Sequence, residues 1–202
     1  MVWFKGFGWT KNHATSFAIN DWILIIDSDE EVDSELLKEL KNKKLDEKTV
    51  YKLNFKAFYK DIQVKHCGWN NQKIKRLYNK NITSYNSNDV HEDIITNGLN
   101  IEELKGNVEH YSYHTISEFI IKADRYSTLF ATNNVGKKSS SPVKAFLNSI
   151  YSFFRTYILK QGFRDGYVGL VIAFSHMVTN FYKYIKLYEK NLELKNRYND
   201  KK

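Results

Sequence analysis

The chain has 202 residues, 42% hydrophobic, 15% aromatic and 27% charged, which is enough apolar content for a folded domain and too much for a disordered chain. A single cysteine, Cys67, excludes an intramolecular disulfide framework and a cysteine-rich zinc site, and it suits a reducing compartment. The formal charge of +8 is unevenly placed: residues 1–136 hold 18 basic and 19 acidic side chains, residues 137–202 hold 13 and 4. The last third is therefore either a solvated basic tail or a face for an anionic partner, nucleic acid or membrane.

The first six residues lack the basic start, long apolar core and small-residue cleavage site of a secretion signal, so a cytoplasmic protein is expected. Residues 11–20 predict a helix with Ala14, Phe17 and Ala18 on one side. The unbroken apolar run at 22–26, ending at Asp27, predicts a strand buried on both faces, as in a parallel sheet. Asp33 and Ser34 can cap a helix through Leu36, Leu37 and Leu40. Alternation at 50–59 predicts a further strand, with others at 73–78 and 107–113. The polar, serine-rich break at 133–142 divides an α/β region, residues 1–135, from a basic helical region, residues 136–202. Within the helical region, apolar stripes at helical spacing over 143–158 and 170–188 predict amphipathic helices. Both are too short in apolar length to span a bilayer. Either they pack on the α/β region or they lie at a membrane surface.

Several constellations carry chemistry. Asp27-Ser28-Asp29-Glu30-Glu31 follows the buried strand, and ligands in open α/β sheets bind at carboxyl ends of strands. Carboxylates there hold a divalent cation that neutralises phosphates; the bland alternative is an acidic turn at a helix start. A haloacid-dehalogenase-like phosphatase is disfavoured, because Glu31 stands where that family has Thr or Val. Glu92, in His91-Glu92-Asp93, is a candidate general base, with His91 to orient it or to contact phosphate. His110 is a candidate metal-side imidazole or an ordinary strand histidine. His66, Trp69 and Arg76 form a polar–aromatic set suited to a sugar ring, or a partly buried loop tryptophan and its neighbours.

The order of these motifs resembles family 2 glycosyltransferases, in the branch of bacterial lipopolysaccharide-core β-glucosyltransferases. The resemblance rests on Trp3-Phe4-Lys5-Gly6-Phe7-Gly8, Lys11-Asn12, the run from Asp21 through Glu31, and His66-Cys67-Gly68-Trp69 with Arg76-Leu77-Tyr78. Val90-His91-Glu92, His110-Tyr111-Ser112-Tyr113 and Gly162-Phe163-Arg164-Asp165-Gly166 extend it, so that it covers most of residues 3–190. It implies a GT-A, Rossmann-like fold followed by C-terminal amphipathic helices. It implies Lys11, Asp27 and Asp29 at a nucleotide-sugar donor, commonly a UDP-sugar, with Asp29 and His110 at a Mg or Mn ion. Glu92 falls at the catalytic base, and His66, Trp69, Arg76 and His91 where sugar and acceptor meet. The activity implied is inverting transfer of a hexose to a lipopolysaccharide-core or lipid-linked acceptor, at the cytoplasmic side of the inner membrane, with no nucleic-acid partner. Members of the family begin with further strands, an Asn-Glu motif and a base-reading Asp that this sequence does not match. The resemblance thus implies an N-terminally truncated core, and the alternative function is an inactive remnant that binds membrane or a partner.

Overall fold

The structure, a computed structural model, describes residues 6–70, 72–86 and 92–199. In chain order the elements are α1 (Phe7–Ser16), β1 (Trp22–Leu24), β2 (Glu30–Val32), α2 (Ser34–Asn42), β3 (Thr49–Tyr59), β4 (Ile62–Val64), β5 (Gln72–Asn79) and β6 (Asn100–Tyr113). Three helices follow: α3 (Ile116–Asn134), α4 (Pro142–Phe154) and α5 (Gly166–Asn199). A π-helical turn (Arg155–Leu159) and a 3-10 turn (Gly162–Asp165) join α4 to α5. The chain divides into two compact units, Met1–Lys56 with Asn71–His110, and Ala57–Asn70 with Tyr111–Lys202. The division expected at 135–136 falls inside the second unit, between α3 and α4.

The strand order is β1-β5-β3-β6-β2, with β4 on β3. The pairs β1–β5, β2–β6, β3–β4 and β3–β5 all run antiparallel. This corrects the expected parallel setting of the 22–26 run. The run is apolar because it is covered on both faces, and burial alone does not set strand direction. Trp22, Leu24 and Ile26 pack on a core of Leu36, Tyr51, Leu53, Phe55, Leu77, Leu104 and Val108. Ile23 and Ile25 belong with Val50, Tyr78, Tyr85 and Ile94 on the other side. β1 nevertheless lies at an edge of the sheet, paired to β5 alone among the described strands.

Local chemistry fixes α2. The Asp33 side chain accepts from the Leu36 amide at 2.8 Å, an N-cap worth about 1 kcal/mol. Leu36 is then fully buried, worth about 2 kcal/mol. Gly106 of β6 makes room for it: a Cβ there would lie 2.2 Å from the Leu36 nitrogen and 2.3 Å from its Cα.

In the second unit the aromatic core holds Ala57, Tyr59, Val64, Cys67, Phe119, Val168 and Ile172. Thr115 caps α3, and Ser141 followed by Pro142 starts α4. Helix α3 has no counterpart among the sequence expectations. Its buried face is Phe119, Ala123, Ser127 and Ala131, a stripe too small and polar to stand out as hydrophobic periodicity.

Candidate functional site

In the first unit, the segment between β1 and β2 crosses from one edge of the sheet to the other. Five strands at about 4.8 Å spacing separate the outer pair by about 19 Å in a flat sheet, so a link of five residues must run almost directly over β5, β3 and β6. The residues of that link are Ile25 to Asp29, which lays the acidic motif over the row formed by Arg76 of β5, Phe55 of β3 and His110 of β6. The buried Phe55 ring contacts His110 edge-on at 6.5 Å between centroids, and its face lies 5.3 Å from the Arg76 guanidinium.

Each acidic side chain meets one end of this row. Asp27 Oδ2 lies 3.0 Å from an Arg76 nitrogen, and Glu30 Oε1 lies 2.8 Å from the same nitrogen. The other Glu30 oxygen accepts from the Asp27 amide at 2.9 Å, and the Glu30 amide donates to the Asp27 carbonyl at 3.0 Å. The loop is therefore closed on itself and clamped by one arginine. Burial dominates at Glu30 and lifts its carboxyl above the ordinary range, although the Asp27 amide and the Arg76 charge oppose the shift. Burial works against the Arg76 charge too, but Glu30 and Asp27 outweigh it and hold the guanidinium above its usual value. Arg76 Nε is buried without a hydrogen-bond partner among the described residues.

Register explains the next contact. Glu30 stands opposite His110 across β2 and β6, so the preceding residue, Asp29, reaches the imidazole: His110 Nε2 and Asp29 Oδ2 are 3.2 Å apart. Asp27 and Asp29 side chains are 46% and 42% exposed, and both carboxylates open to solvent beside a clamped loop.

A second cluster of the same unit adjoins this one. Lys11 of α1 pairs with Glu92 at 2.7 Å, both largely shielded. The Lys11 ammonium also lies 5.1 Å from the Tyr85 ring centroid. Asn12 ties α1 to the same residue, donating to the Tyr85 carbonyl and accepting from its amide, both at 2.9 Å. Burial raises the Tyr85 hydroxyl above its ordinary value, and the nearby Arg76 charge partly opposes this. Tyr85 thus links Lys11 and Glu92 to the Arg76 clamp. Glu30 and Tyr85 were not among the sequence candidates. Glu30 sits next to the Asp-x-Asp and signalled only more negative charge, while Tyr85 lies in a polar loop without a motif. His91 lies outside the described residues.

His66 and Trp69 belong to the second unit. Asp165, its side chain 4% exposed, holds the turn before Trp69: it accepts from the His66 amide at 2.8 Å and meets His66 Nδ1 at 2.7 Å. Cys67 and Gly68 take positive φ there. Trp69 stacks on Tyr113 and Phe119 at 5.5 and 6.3 Å between centroids, and burial pushes the Tyr113 hydroxyl up to about 12. Arg76, expected beside the sugar, is buried and engaged by Asp27 and Glu30 of the acidic loop.

Among the described residues no group of three or more His, Cys, Asp or Glu is placed to hold a metal ion. The Asp29–His110 pair supplies two donor groups, which suits only an open site. Mg is commonly held by one or two carboxylates with the remaining positions taken by water and substrate phosphates.

Proteins similar to this chain are named glycosyltransferases. The chain is 29% identical over 205 residues to an uncharacterized glycosyltransferase of Rickettsia felis, covering 95% of this chain and 72% of that protein. An uncharacterized glycosyltransferase of Rickettsia conorii matches to the same extent. One from Rickettsia prowazekii is 29% identical over 95% of this chain and 70% of its own length. No protein-family model matches the chain. The similarity runs through both units.

Proposed function

We propose that the chain is a glycosyltransferase of the family 2 type, with a GT-A-like fold, acting on a nucleotide-sugar donor. The observation that carries this is the clamped acidic loop with Asp29 against His110 at 3.2 Å, in a chain similar along 95% of its length to proteins named glycosyltransferases. Asp29 and His110 would hold a divalent cation, Mg or Mn, which when bound neutralises a donor diphosphate. Asp27, fixed by Arg76, presents its second carboxylate edge to the donor. Lys11 contributes a cation next to that site. Glu92, shielded and oriented by Lys11, takes the proton from an acceptor hydroxyl as that oxygen attacks the anomeric carbon from the face opposite the leaving diphosphate. The proton passes to the carboxylate, the new glycosidic bond replaces the bond to the nucleotide, and the configuration inverts. The acceptor class we assign is a lipopolysaccharide-core or other lipid-linked saccharide, the sugar a hexose, and the place of reaction the cytoplasmic face of a membrane.

Titration calorimetry with UDP-glucose in the presence of Mn tests the site. Wild type binds, Asp29→Ala weakens binding at least about tenfold by removing a carboxylate from the cation, and Glu92→Gln leaves it within a few fold. Turnover of Glu92→Gln falls by about 10²–10⁴. Equal donor affinity in wild type and Asp29→Ala removes the acidic loop from the donor site. Turnover of Glu92→Gln within a few fold of wild type removes the base.

A further inference from the structure

Helix α4 of the second unit is packed with its small residues inward and its large apolar residues outward. On α4 the buried positions are Ala145 and Ser149, followed by Thr156 in the π-helical turn. Val143, Phe146, Leu147, Ile150, Tyr151 and Phe154 are all between 47% and 67% exposed. At 100° per residue these six cover an arc of about 140°, centred opposite the buried face. A water-facing helix has the reverse arrangement.

The inward face is polar as well as small. Thr156 Oγ1 lies 3.0 Å from His176 Nδ1, Ser152 Oγ donates to the His176 carbonyl at 3.4 Å, and Asn180 donates to Ser152 Oγ at 2.8 Å. Helix α3 follows the pattern in part, burying Ala123, Ser127 and Ala131 together with the larger Phe119, while Ile120 and Ile121 are 66% and 65% exposed. Small residues and hydroxyl, amide or imidazole hydrogen bonds between helices, with bulky apolar side chains outside, are how helices associate in lipid. Yet among the described residues no helix is long and apolar enough to cross a membrane. A helix of this kind lies along the interface.

Charge names the partner. Residues 135–164 contain six basic residues and no Asp or Glu. Lys137, Lys138, Lys144, Arg155 and Arg164 among them are exposed. On the α4 wheel Lys144 and Arg155 sit at one border of the apolar arc, about 100° and 120° from Val143. We infer that the outer face of α4 and the turn that follows docks into the interface of an anionic lipid bilayer, with Phe146, Ile150 and Phe154 among the acyl chains and Lys144 and Arg155 at the headgroups. This does not rest on the sugar-transfer reading, because it is measured without donor or acceptor.

The test is co-sedimentation of the full chain with vesicles of phosphatidylcholine, with and without phosphatidylglycerol. Wild type partitions onto the phosphatidylglycerol vesicles, and high salt weakens the binding. Phe146→Ser, Ile150→Ser and Phe154→Ser together lower the partition coefficient at least about a hundredfold. Lys144→Gln with Arg155→Gln lowers it about 25-fold on phosphatidylglycerol vesicles, at about fivefold per basic residue, and leaves phosphatidylcholine binding unchanged. All five positions are exposed, so circular dichroism of both variants stays that of wild type. Failure of wild type to bind either vesicle overturns the inference, as does binding that survives the triple substitution. A dimer seen by sedimentation equilibrium that the triple substitution abolishes, in a chain that ignores vesicles, overturns it in favour of a second copy as the occupant.

Discussion

The clamp under the acidic loop can be removed without changing the shape of the core. Arg76→Met keeps an unbranched stem over Phe55 and takes away the charge. What it leaves behind differs at the two carboxylates. The Glu30 side chain is 2% exposed and Asp27 46%, so Glu30 is stranded in the protein while Asp27 is rescued by water. Stranding a buried charge costs about 3–5 kcal/mol, and losing the half-exposed contact costs about 0–1 kcal/mol. The variant should therefore lose about 3–5 kcal/mol in urea denaturation followed by circular dichroism at pH 7, a large fraction of an ordinary domain stability of about 5–15 kcal/mol. The same reasoning sets two controls. Asp27→Asn should lose no more than about 1 kcal/mol. Glu30→Gln placed in the Arg76→Met background should recover about 2 kcal/mol or more, because it removes the charge that the first change stranded. A loss below about 1 kcal/mol for Arg76→Met, or no recovery in the double variant, would show that Arg76 is not what holds the loop.

Three other outcomes follow from groups buried elsewhere. His176 is held down to about 4, by burial first and then by the charges of Lys160, Lys183 and Arg155; between pH 6.5 and 4 the unfolded chain therefore binds a proton that the folded chain does not, and acidification destabilises the fold. Going from pH 7 to 5 should lose about 2 kcal/mol more in wild type than in His176→Gln, and parallel urea profiles for the two would count against it. Burial, with Asp165 adding to it, raises the Cys67 thiol to about 12, so a disulfide reagent at pH 8 should label the native chain at least about a hundredfold more slowly than the urea-unfolded one; equal rates would place the thiol at the surface. Gly106→Ala should cost about 3 kcal/mol or more, since its methyl would lie 2.2 Å from the Leu36 nitrogen and backbone cannot swing aside as a side chain can; a midpoint in urea equal to wild type would mean that α2 and β6 are not in this contact.

How much of this was legible in the sequence depended on whether the signal was local. The Asp33 cap, the long strand at β3 and the apolar content of β1 are properties of neighbouring residues and read directly. Strand direction was not, because Trp22 to Ile26 carry the same apolar run whether their neighbours run parallel or antiparallel; only the pairing of Ile23 with Tyr78 decides. Asp29 and His110 were each legible as candidates, but their contact depends on a register between residues 81 positions apart. The Arg76 clamp was hidden for the same reason: its partners Asp27 and Glu30 are seen only once β5 is set next to the acidic loop.

The helical stripes were legible, but not what covers them. Periodicity reports that large apolar residues share a face, and it leaves open whether that face packs on protein or lies at a membrane surface. The stripe faces outward while Ser152 and Thr156, on the other side of the helix and the turn after it, bond to His176 and Asn180 of α5. Small residues then allow close approach, as at Gly169, where a Cβ would lie 1.8 Å from the Gly162 carbonyl oxygen. The clue was in the sequence after all, in the complementary stripe of Ala145, Ser149, Ser152 and Thr156 at helical spacing. A helix with a bulky apolar face and a small polar face has two ways to satisfy both: bury the bulky side in protein and leave hydroxyls in water, or bond the hydroxyls to a neighbour and give the bulky side to lipid. Hydrogen bonds across α4 and α5 satisfy the hydroxyls, and it is on them and on the six basic residues without an acidic one between 135 and 164 that the inferred anionic lipid contact rests.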